Sequence, residues 1–288
     1  MGNDYVNRDE VLEEFASSLK AEGLKPKTIE GYSSDLRKTL PELTYPDYDA
    51  LARTLEASLE QMASQESAKT STINRAIASV SKLVNMLNQT QRFQGGITFP
   101  YTPPIKREPR TAISQENFQK IIKRIPSENY LYARDRLTCY LIYHLGLRES
   151  EVAKLDVRNL EVEAGKTFVW AGSREQKRKL EIDEETATEL ENYRTLYSKA
   201  AEKKGLPPLE KGSLLRNRSG RRIDVRSIRR NITEWMSEAG VNATLLDLRY
   251  GYAKTQLNRT DKEVKPKDLA TQMGAGKNFA YTLRKLLR

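Results

Sequence analysis

The chain has only one cysteine and one histidine in 288 residues, so groups suited to disulfides, redox chemistry and metal binding are scarce. Because the lone Cys139 cannot form an intrachain disulfide, its place in the apolar run RLTCYLIYHL predicts a buried thiol in a reducing, intracellular compartment. The lone His144 ends the same run, and we expect a packed core residue rather than a ligand or a base. Neither metal-ligand spacing nor a glycine-rich phosphate loop is present, so no cofactor and no metal are predicted.

Long apolar runs are missing as well. No window approaches 18 uninterrupted apolar residues, and the N-terminal stretch MGNDYVNRDEVLEEF has neither a basic start nor an apolar segment. We therefore expect neither export nor membrane insertion. What the chain does have is 38% hydrophobic and 31% charged residues over 288 positions, which is enough for two domains with cores of their own.

Charge is divided unevenly along the chain. Residues 1–100 hold 11 Lys and Arg against 14 Asp and Glu, whereas residues 101–288 hold 38 against 25. A basic excess confined to one part indicates a polyanionic partner, since such a field gives affinity without sequence specificity. Many basic proteins bind no nucleic acid, so charge alone leaves both alternatives open.

Periodicity divides the chain into two domains. Apolar residues at helical spacing predict a four-helix domain over residues 1–100. Proline, glycine and basic residues then accumulate, which indicates an extended linker at 101–112. In the remainder, residues 113–288, helical patterns surround a strand pattern, and we expect the principal sheet at residues 160–182 with a hairpin near 172–176. The predicted fold class is mainly α, with a helical first domain and an α+β second domain.

An arginine-rich run occupies residues 216–230. Runs of this kind are usually a solvated face of a helix. Here seven arginines in a turn that leads into a helix favour contacts to phosphates, which backbone N–H groups of the turn can supplement. The predicted nucleic-acid contacts are Arg216, Arg218, Arg221, Arg222, Arg226 and, nearer the C-terminus, Lys277.

The stretch LIYHLGLRESEVAKL places one arginine at a bend between two helices. Gly146 interrupts the first helical pattern, and Arg148 opens a second one in which Val152 and Leu155 recur at helical spacing. A guanidinium at such a bend can grip an oxyanion bidentately. The alternative is that Arg148 pairs with Glu151 one turn further on.

Four segments, in order, resemble the tyrosine recombinases of the integrase and Xer type. EEFASSLKAEGLKPKTIEGYSSDL is similar to the first two helices of their core-binding domain, and GLRESEV resembles the G-L-R-x-S-E-L segment of their first catalytic arginine. LLDLRYGYA resembles the H-x-L-R-H-T-F-A-T motif, in which Arg249 is the second arginine. Tyr281 follows 32 residues later, where the family keeps its nucleophile. The resemblance implies a SAM-like core-binding domain at 1–100 and a catalytic domain at 113–288.

The family resemblance also implies a reaction. Arg148 and Arg249 would hold one phosphate of duplex DNA, Tyr281 would attack it to form a 3′-phosphotyrosine, and a hairpin lysine would protonate the leaving 5′ oxygen. Ser173 and Arg174 stand where that lysine is expected, so Lys177 is the nearest substitute, with Lys179 behind it. Either lysine can equally be a solvated side chain on a surface strand.

Both histidines of the family motifs are replaced, by Leu246 and by Ala275. Two hypotheses follow: an active site-specific recombinase of a mobile genetic element, or a catalytically impaired DNA-binding protein that acts as a repressor or accessory factor. The family analogy implies a homotetramer on double-stranded DNA, and a monomer or dimer off it. It also implies a cytoplasmic, nucleoid-associated protein encoded by a host, a virus or a plasmid.

Overall fold

The computed structural model of the chain describes residues 5–65, 69–93, 111–172, 177–260 and 263–286, except for the side chains at 277, 278, 285 and 286. The chain divides into two compact units, Met1–Arg107 and Glu108–Arg288. Most of the predicted linker, at residues 101–110, lies outside the described residues.

The first unit is helical, as its periodicity predicts. Its described residues form two short strands and four helices: β1 Val6–Asn7, α1 Arg8–Ala21, α2 Pro26–Thr39, β2 Thr44–Tyr45, α3 Tyr48–Ser64 and α4 Thr70–Gln89. The Asn7 side chain caps α1 by accepting hydrogen bonds from two backbone N–H groups of its first turn. The apolar faces of the four helices meet in one core around Phe15, Leu36, Leu55 and Leu83, which are all buried.

The second unit alternates helices with one small sheet. Its described elements are α5 Gln115–Arg124, α6 Tyr130–Tyr143, α7 Glu149–Val152, a 3-10 turn at Val157–Asn159, β3 Leu160–Glu163, β4 Lys166–Ala171, β5 Arg178–Glu181, α8 Glu184–Lys204, α9 Val225–Glu238, α10 Leu245–Leu257, α11 Pro266–Gln272 and α12 Lys277–Leu286. The mainly helical fold class is thus confirmed.

Helix α6 is the centre of this unit, and it packs against α8, α9 and α10. Nearly all of its side chains are buried, including the paired Arg134 and Asp135, which explains the mostly apolar second half of α6 from Leu137 to Tyr143. Cys139 lies in this helix and is fully buried, as predicted, and burial raises the pKa of its thiol. The thiol is therefore a packing group.

The sheet confirms the prediction for residues 160–182. Strands β3, β4 and β5 pair antiparallel in that order, with Trp170 opposite Lys179 and Ala171 opposite Arg178. Val169 and Ala171 are buried, so one face of the sheet packs on the core and the other is more open. The tip of the predicted hairpin, residues 173–176, lies outside the described residues.

His144 only partly follows the expectation of a core residue. It lies at the C-terminal end of α6 beside Phe118 and Tyr140, but its Nδ1 is 2.7 Å from a carboxylate oxygen of Asp183. Asp183 caps α8, and the histidine therefore joins two helix ends rather than filling the core. Among the described helices, none combines the length and apolar character that a membrane crossing requires.

Candidate active site

A glycine brings the two predicted catalytic arginines together. Gly146 has a positive φ of 63°, and a Cβ there would lie 2.5 Å from the ring of Tyr252, which is one turn after Arg249 on α10. This close approach allows Nε of Arg249 to donate to the Gly146 carbonyl at 2.7 Å. Arg148 stands two residues further on, at the N-terminus of α7. The bend therefore places both arginines at one site, as the sequence predicts.

The turn between α11 and α12 holds both guanidinium groups. Arg148 donates from Nη2 to the Gly274 carbonyl at 2.5 Å, and Arg249 donates from its own Nη2 to the Met273 carbonyl. Two consecutive backbone carbonyls thus orient both side chains. These contacts leave the Nη1 and Nε donors of Arg148 for other acceptors.

The electrostatics of this pair favour an anion. Arg249 is only 5% exposed, and burial together with the positive charge of Arg148 lowers its pKa to about 10. Arg249 is therefore still protonated at neutral pH. Two cations held side by side in a partly buried place repel each other, and a phosphate between them removes that repulsion.

A third arginine, which was not predicted, belongs to the same cluster. Arg178 of β5 donates from Nη1 and Nη2 to the two carboxylate oxygens of Glu151, at 2.8 and 3.0 Å. Burial alone would raise the pKa of Glu151, but the hydrogen bonds from Arg178 and from the Arg148 backbone N–H lower it. The sequence signal for this arginine is strand alternation in KRKLEI. It puts Arg178 on the face opposite Lys177 and Lys179.

The alternative pairing of Arg148 with Glu151 is weak. The closest approach of the two charged groups, from Nη1 to Oε1, is 3.8 Å, because Arg178 occupies the carboxylate. Glu151 instead accepts the backbone N–H of Arg148 at 2.8 Å. The carboxylate therefore anchors the start of α7 and leaves the Arg148 guanidinium directed to the site.

Two clefts meet at Arg148. The first, of about 300 Å³, is lined among others by Arg148, Glu151, Trp170, Lys177 and Arg178. The second, of about 450 Å³, is lined by Arg148, Leu246, Arg249, Tyr250, Ala275, Gly276 and Phe279. One cleft thus joins the first arginine to the predicted lysine, and the other joins it to the second arginine.

The structure separates the two candidate lysines. Lys177 lines the first cleft, with its Nζ 4.9 Å from the centroid of the Trp170 ring. Lys179 is held by Glu161 at 3.1 Å and by Glu163 on the open face of the sheet. Of the two, Lys177 has the position that the predicted proton donor needs.

Tyr281 is on α12, but it lines neither of the two clefts and is 57% exposed. The residue of α12 that reaches the arginines is Phe279, whose ring is 5.0 Å from Cζ of Arg249 and stacks on Tyr250. Residues two apart on a helix point about 200° apart, so Tyr281 lies away from that contact. Among the described residues of α12, Phe279 rather than Tyr281 lines the cleft that holds Arg148 and Arg249. The side chain of Lys277 lies outside the described residues.

The second cleft also holds the two residues that replace the family's histidines. Leu246 and Ala275 both line it, beside the two arginines. Neither side chain can donate or accept a proton. Acid–base help at this position must therefore come from another group.

The prediction that Arg216 contacts a phosphate is wrong. Its side chain is buried, and its guanidinium donates to the carbonyls of Gly220 at 2.9 Å, of Lys211 at 2.5 Å and of Pro208 at 3.4 Å. These bonds close the loop before α9. The sequence could not predict this role, because a run of arginines does not show which of its side chains are buried.

The other arginines of the run are either ion-paired or exposed. Arg222 and Arg229 form ion pairs with Asp156 and with Glu149, so part of their charge is already neutralised. Arg218, Arg221 and Arg226 are exposed and keep their predicted role as candidate DNA contacts. Arg222 remains a predicted contact too, although it also donates to the carbonyls of Ala153 and Leu155.

Comparison with known proteins places this geometry in a family. The model of the Phage integrase family matches residues 111–273, which is more than half of the chain. Tyrosine recombinase XerA of Pyrococcus furiosus is 28% identical over 255 residues, covering 88% of this chain and 82% of the relative.

Two solved structures are similar in fold. The Tn1549 transposon integrase in complex with transposon right end DNA gives a TM-score of 0.72 at 16% identity, over 96% of this chain and 94% of that chain. A lambda integrase dimer bound to a COC′ core site gives 0.71 at 14% identity, over 98% and 78%. Both likenesses extend across the two units of the chain, and they confirm the predicted fold.

Proposed function

The chain belongs to the phage integrase family, and from that premise we propose that it is a site-specific recombinase that cleaves and rejoins duplex DNA. The observation that carries the proposal is the convergence of Arg148 and Arg249 on one place, with the pKa of Arg249 lowered by burial and by the Arg148 charge. That place suits the scissile phosphate. Both of the similar solved structures hold DNA, which supports duplex DNA as the partner.

In the proposed reaction, the Tyr281 oxygen attacks the phosphorus in line. A Tyr–O–P bond forms, the P–O5′ bond breaks, and the phenolic proton leaves to water. Arg148 and Arg249 stabilise the charge that develops on the non-bridging oxygens, and the Lys177 ammonium gives a proton to the departing 5′ oxygen. The phosphotyrosine conserves the energy of the phosphodiester, so rejoining by a 5′ hydroxyl needs no nucleotide.

Tyr281 does not share the contact that Phe279 makes with Arg249, so we expect α12 to change position on DNA and to bring the Tyr281 hydroxyl to the phosphate. Four protomers on two duplexes would then carry out strand exchange. We place this activity in the cytoplasm, where the DNA lies.

A second candidate function is a DNA-binding repressor or accessory factor. Leu246 and Ala275 favour it, because they put two groups without acid–base chemistry beside the arginines. Losing one acid–base group typically costs about two to four orders of magnitude in rate, which slows a recombinase without abolishing it.

Trapping of the covalent adduct separates the two functions. A binding site is first selected from randomised duplex DNA, and a nick is then placed just 3′ of the scissile phosphate so that the released fragment diffuses away. The recombinase predicts a covalent protein–DNA adduct with the wild type and none with Tyr281→Phe. Specific binding by both proteins without any adduct would overturn the proposal and favour the repressor.

A further inference from the structure

The open face of the small sheet carries two lysines and two aromatic rings. Trp170 lies directly opposite Lys179 in the β4–β5 register, so strand alternation puts Phe168 and Lys177 on this same face. Arg178, between the two lysines, points to the other face and to Glu151. Arg178 and the two lysines therefore leave opposite faces of β5, yet the Lys177 side chain still lines the cleft that Arg148 and Arg178 line.

The nearest ring differs between the two lysines, although Lys179 also lies 5.9 Å from the centroid of Trp170. The Nζ of Lys177 is 4.9 Å from the centroid of Trp170, and the Nζ of Lys179 is 4.4 Å from the centroid of Phe168. An ammonium within about 6 Å of an aromatic face is attracted by the ring quadrupole, most strongly by tryptophan. Lys177 therefore has the stronger ring as its partner.

Trp170 is itself held in place. Its indole Nε1 donates to Glu161 at 2.5 Å, and this hydrogen bond, followed by the one from Lys179, lowers the pKa of Glu161. The carboxylate therefore stays charged and keeps the indole oriented. Trp170 and Lys177 both line the cleft that Arg148 lines, so the ring fixes the ammonium on the side of the arginine.

We propose that Trp170 is a positioning residue, which holds the Lys177 ammonium in the cleft for proton donation to the leaving 5′ oxygen. This inference rests on the proposed recombinase function and adds a residue to it. During cleavage the proton passes from Nζ to O5′ as the P–O5′ bond breaks, and the neutral amine takes a proton back when the 5′ hydroxyl attacks the phosphotyrosine.

A sulfur leaving group provides a direct test. In DNA with a 5′-bridging phosphorothiolate at the scissile position, a thiolate leaves, and it needs no proton because its pKa is far below that of an alcohol. Loss of the proton donor therefore slows cleavage of ordinary DNA and spares cleavage of the sulfur DNA. Adduct formation is measured on both nicked substrates for wild type, Trp170→Leu, Trp170→Phe, Lys177→Ala and Phe168→Leu.

The expected results form a pattern. Lys177→Ala slows adduct formation on ordinary DNA by about 100-fold or more. Trp170→Leu slows it by about 10-fold, and Trp170→Phe by less, because phenylalanine keeps a ring face but loses the hydrogen bond to Glu161. All three variants cleave the sulfur DNA at nearly the wild-type rate. Phe168→Leu is the matched control, since its ring carries Lys179, and it behaves as wild type on both substrates.

Two results would overturn the inference alone. One is a Trp170→Leu variant that cleaves ordinary DNA as fast as wild type. The other is an equal loss on both substrates, which would mean that the ring supports the strand rather than the lysine. A wild type that forms no adduct on either DNA overturns the proposed function, and this inference with it.

Discussion

The second unit holds two groups of arginines that behave in opposite ways. The cleft arginines, Arg148, Arg178 and Arg249, are far apart in the sequence, yet they reach one site where they share Glu151 and the carbonyls of one turn. The arginine run at residues 216–230 is dense in the sequence, but its members differ in their surroundings: Arg216 is buried, others form ion pairs, and others are exposed. Spatial convergence onto shared acceptors, rather than density along the chain, marks the candidate active site.

The largest expected effect concerns the cleft group. Arg249→Lys keeps the charge but lacks the planar guanidinium that donates from Nε to Gly146 and from Nη2 to Met273, so the phosphate loses an oriented partner. We expect adduct formation to fall by about 10²–10³-fold while DNA affinity changes little. The measurement is the single-turnover rate on nicked DNA, with Arg194→Lys on the exposed side of α8 as the control. A rate within twofold of wild type would show that Arg249 is not part of the chemistry.

The second prediction tests the buried member of the run. Arg216→Ala leaves three carbonyls without their donor, and we expect the free energy of unfolding to fall by about 2–4 kcal/mol. Arg218→Ala, two residues further on and exposed, should change it by less than about 0.5 kcal/mol. Denaturant unfolding measures both. Equal effects of the two substitutions would show that Arg216 contributes no more to stability than the exposed Arg218.

The third prediction concerns the exposed members. Replacing Arg218, Arg221 and Arg226 together by alanine removes up to three phosphate contacts, so the slope of log affinity against log salt should become shallower by about 2–3. Affinity at low salt should fall by at least about tenfold, with stability unchanged. Binding titrations over a range of salt concentrations measure both quantities. An unchanged slope would exclude these three side chains from the DNA interface.

The smallest effect belongs to the hydrogen bond between His144 and Asp183, which lies outside both groups. The hydrogen bond from His144 and the cap bond from Thr186 outweigh burial and lower the pKa of Asp183 to about 2. A lowered carboxyl pKa adds stability above the unfolded value of 3.8, and this is lost as the pH falls towards 2. Because the Asp183 side chain is 46% exposed, we expect Asp183→Asn to cost only about 1 kcal/mol at neutral pH.

Unfolding of both proteins between pH 7 and pH 2 checks this last prediction. The difference between wild type and Asp183→Asn should shrink over the window from about pH 4 to pH 2, since the charge is lost there. Asparagine remains a good helix cap, so the comparison isolates the charge from the cap. A difference that persists at pH 2 would assign the effect to packing.

Much of the fold follows from local patterns. The four helices of the first unit and the sheet at 160–182 carry clear periods of 3.6 and 2, and the structure confirms both. The pair β1–β2 was not predicted, since two-residue strands have no period to detect. The first strand of the sheet begins only at Leu160, after a 3-10 turn at Val157–Asn159.

The candidate site was only partly accessible from the sequence. Resemblance to family motifs identified Arg148 and Arg249. The positions of both side chains depend on local features, namely the bend at Gly146 and the N-terminus of α7. Arg178 was missed because its importance comes from Glu151, which is 27 positions away in the chain. The place of Tyr281 could not be predicted either, because the direction of a side chain on α12 depends on how that helix packs on α10 and α11.

Identifying the tyrosine that carries the DNA tests the central claim most directly. The covalent adduct from nicked DNA is digested with protease and nuclease, and the peptide that retains a 3′-phosphonucleotide is sequenced by mass spectrometry. We expect the modification on Tyr281, although Phe279 is the α12 residue that contacts Arg249 in the structure. A nucleotide on another tyrosine, such as Tyr250 or Tyr252 of α10, would contradict it.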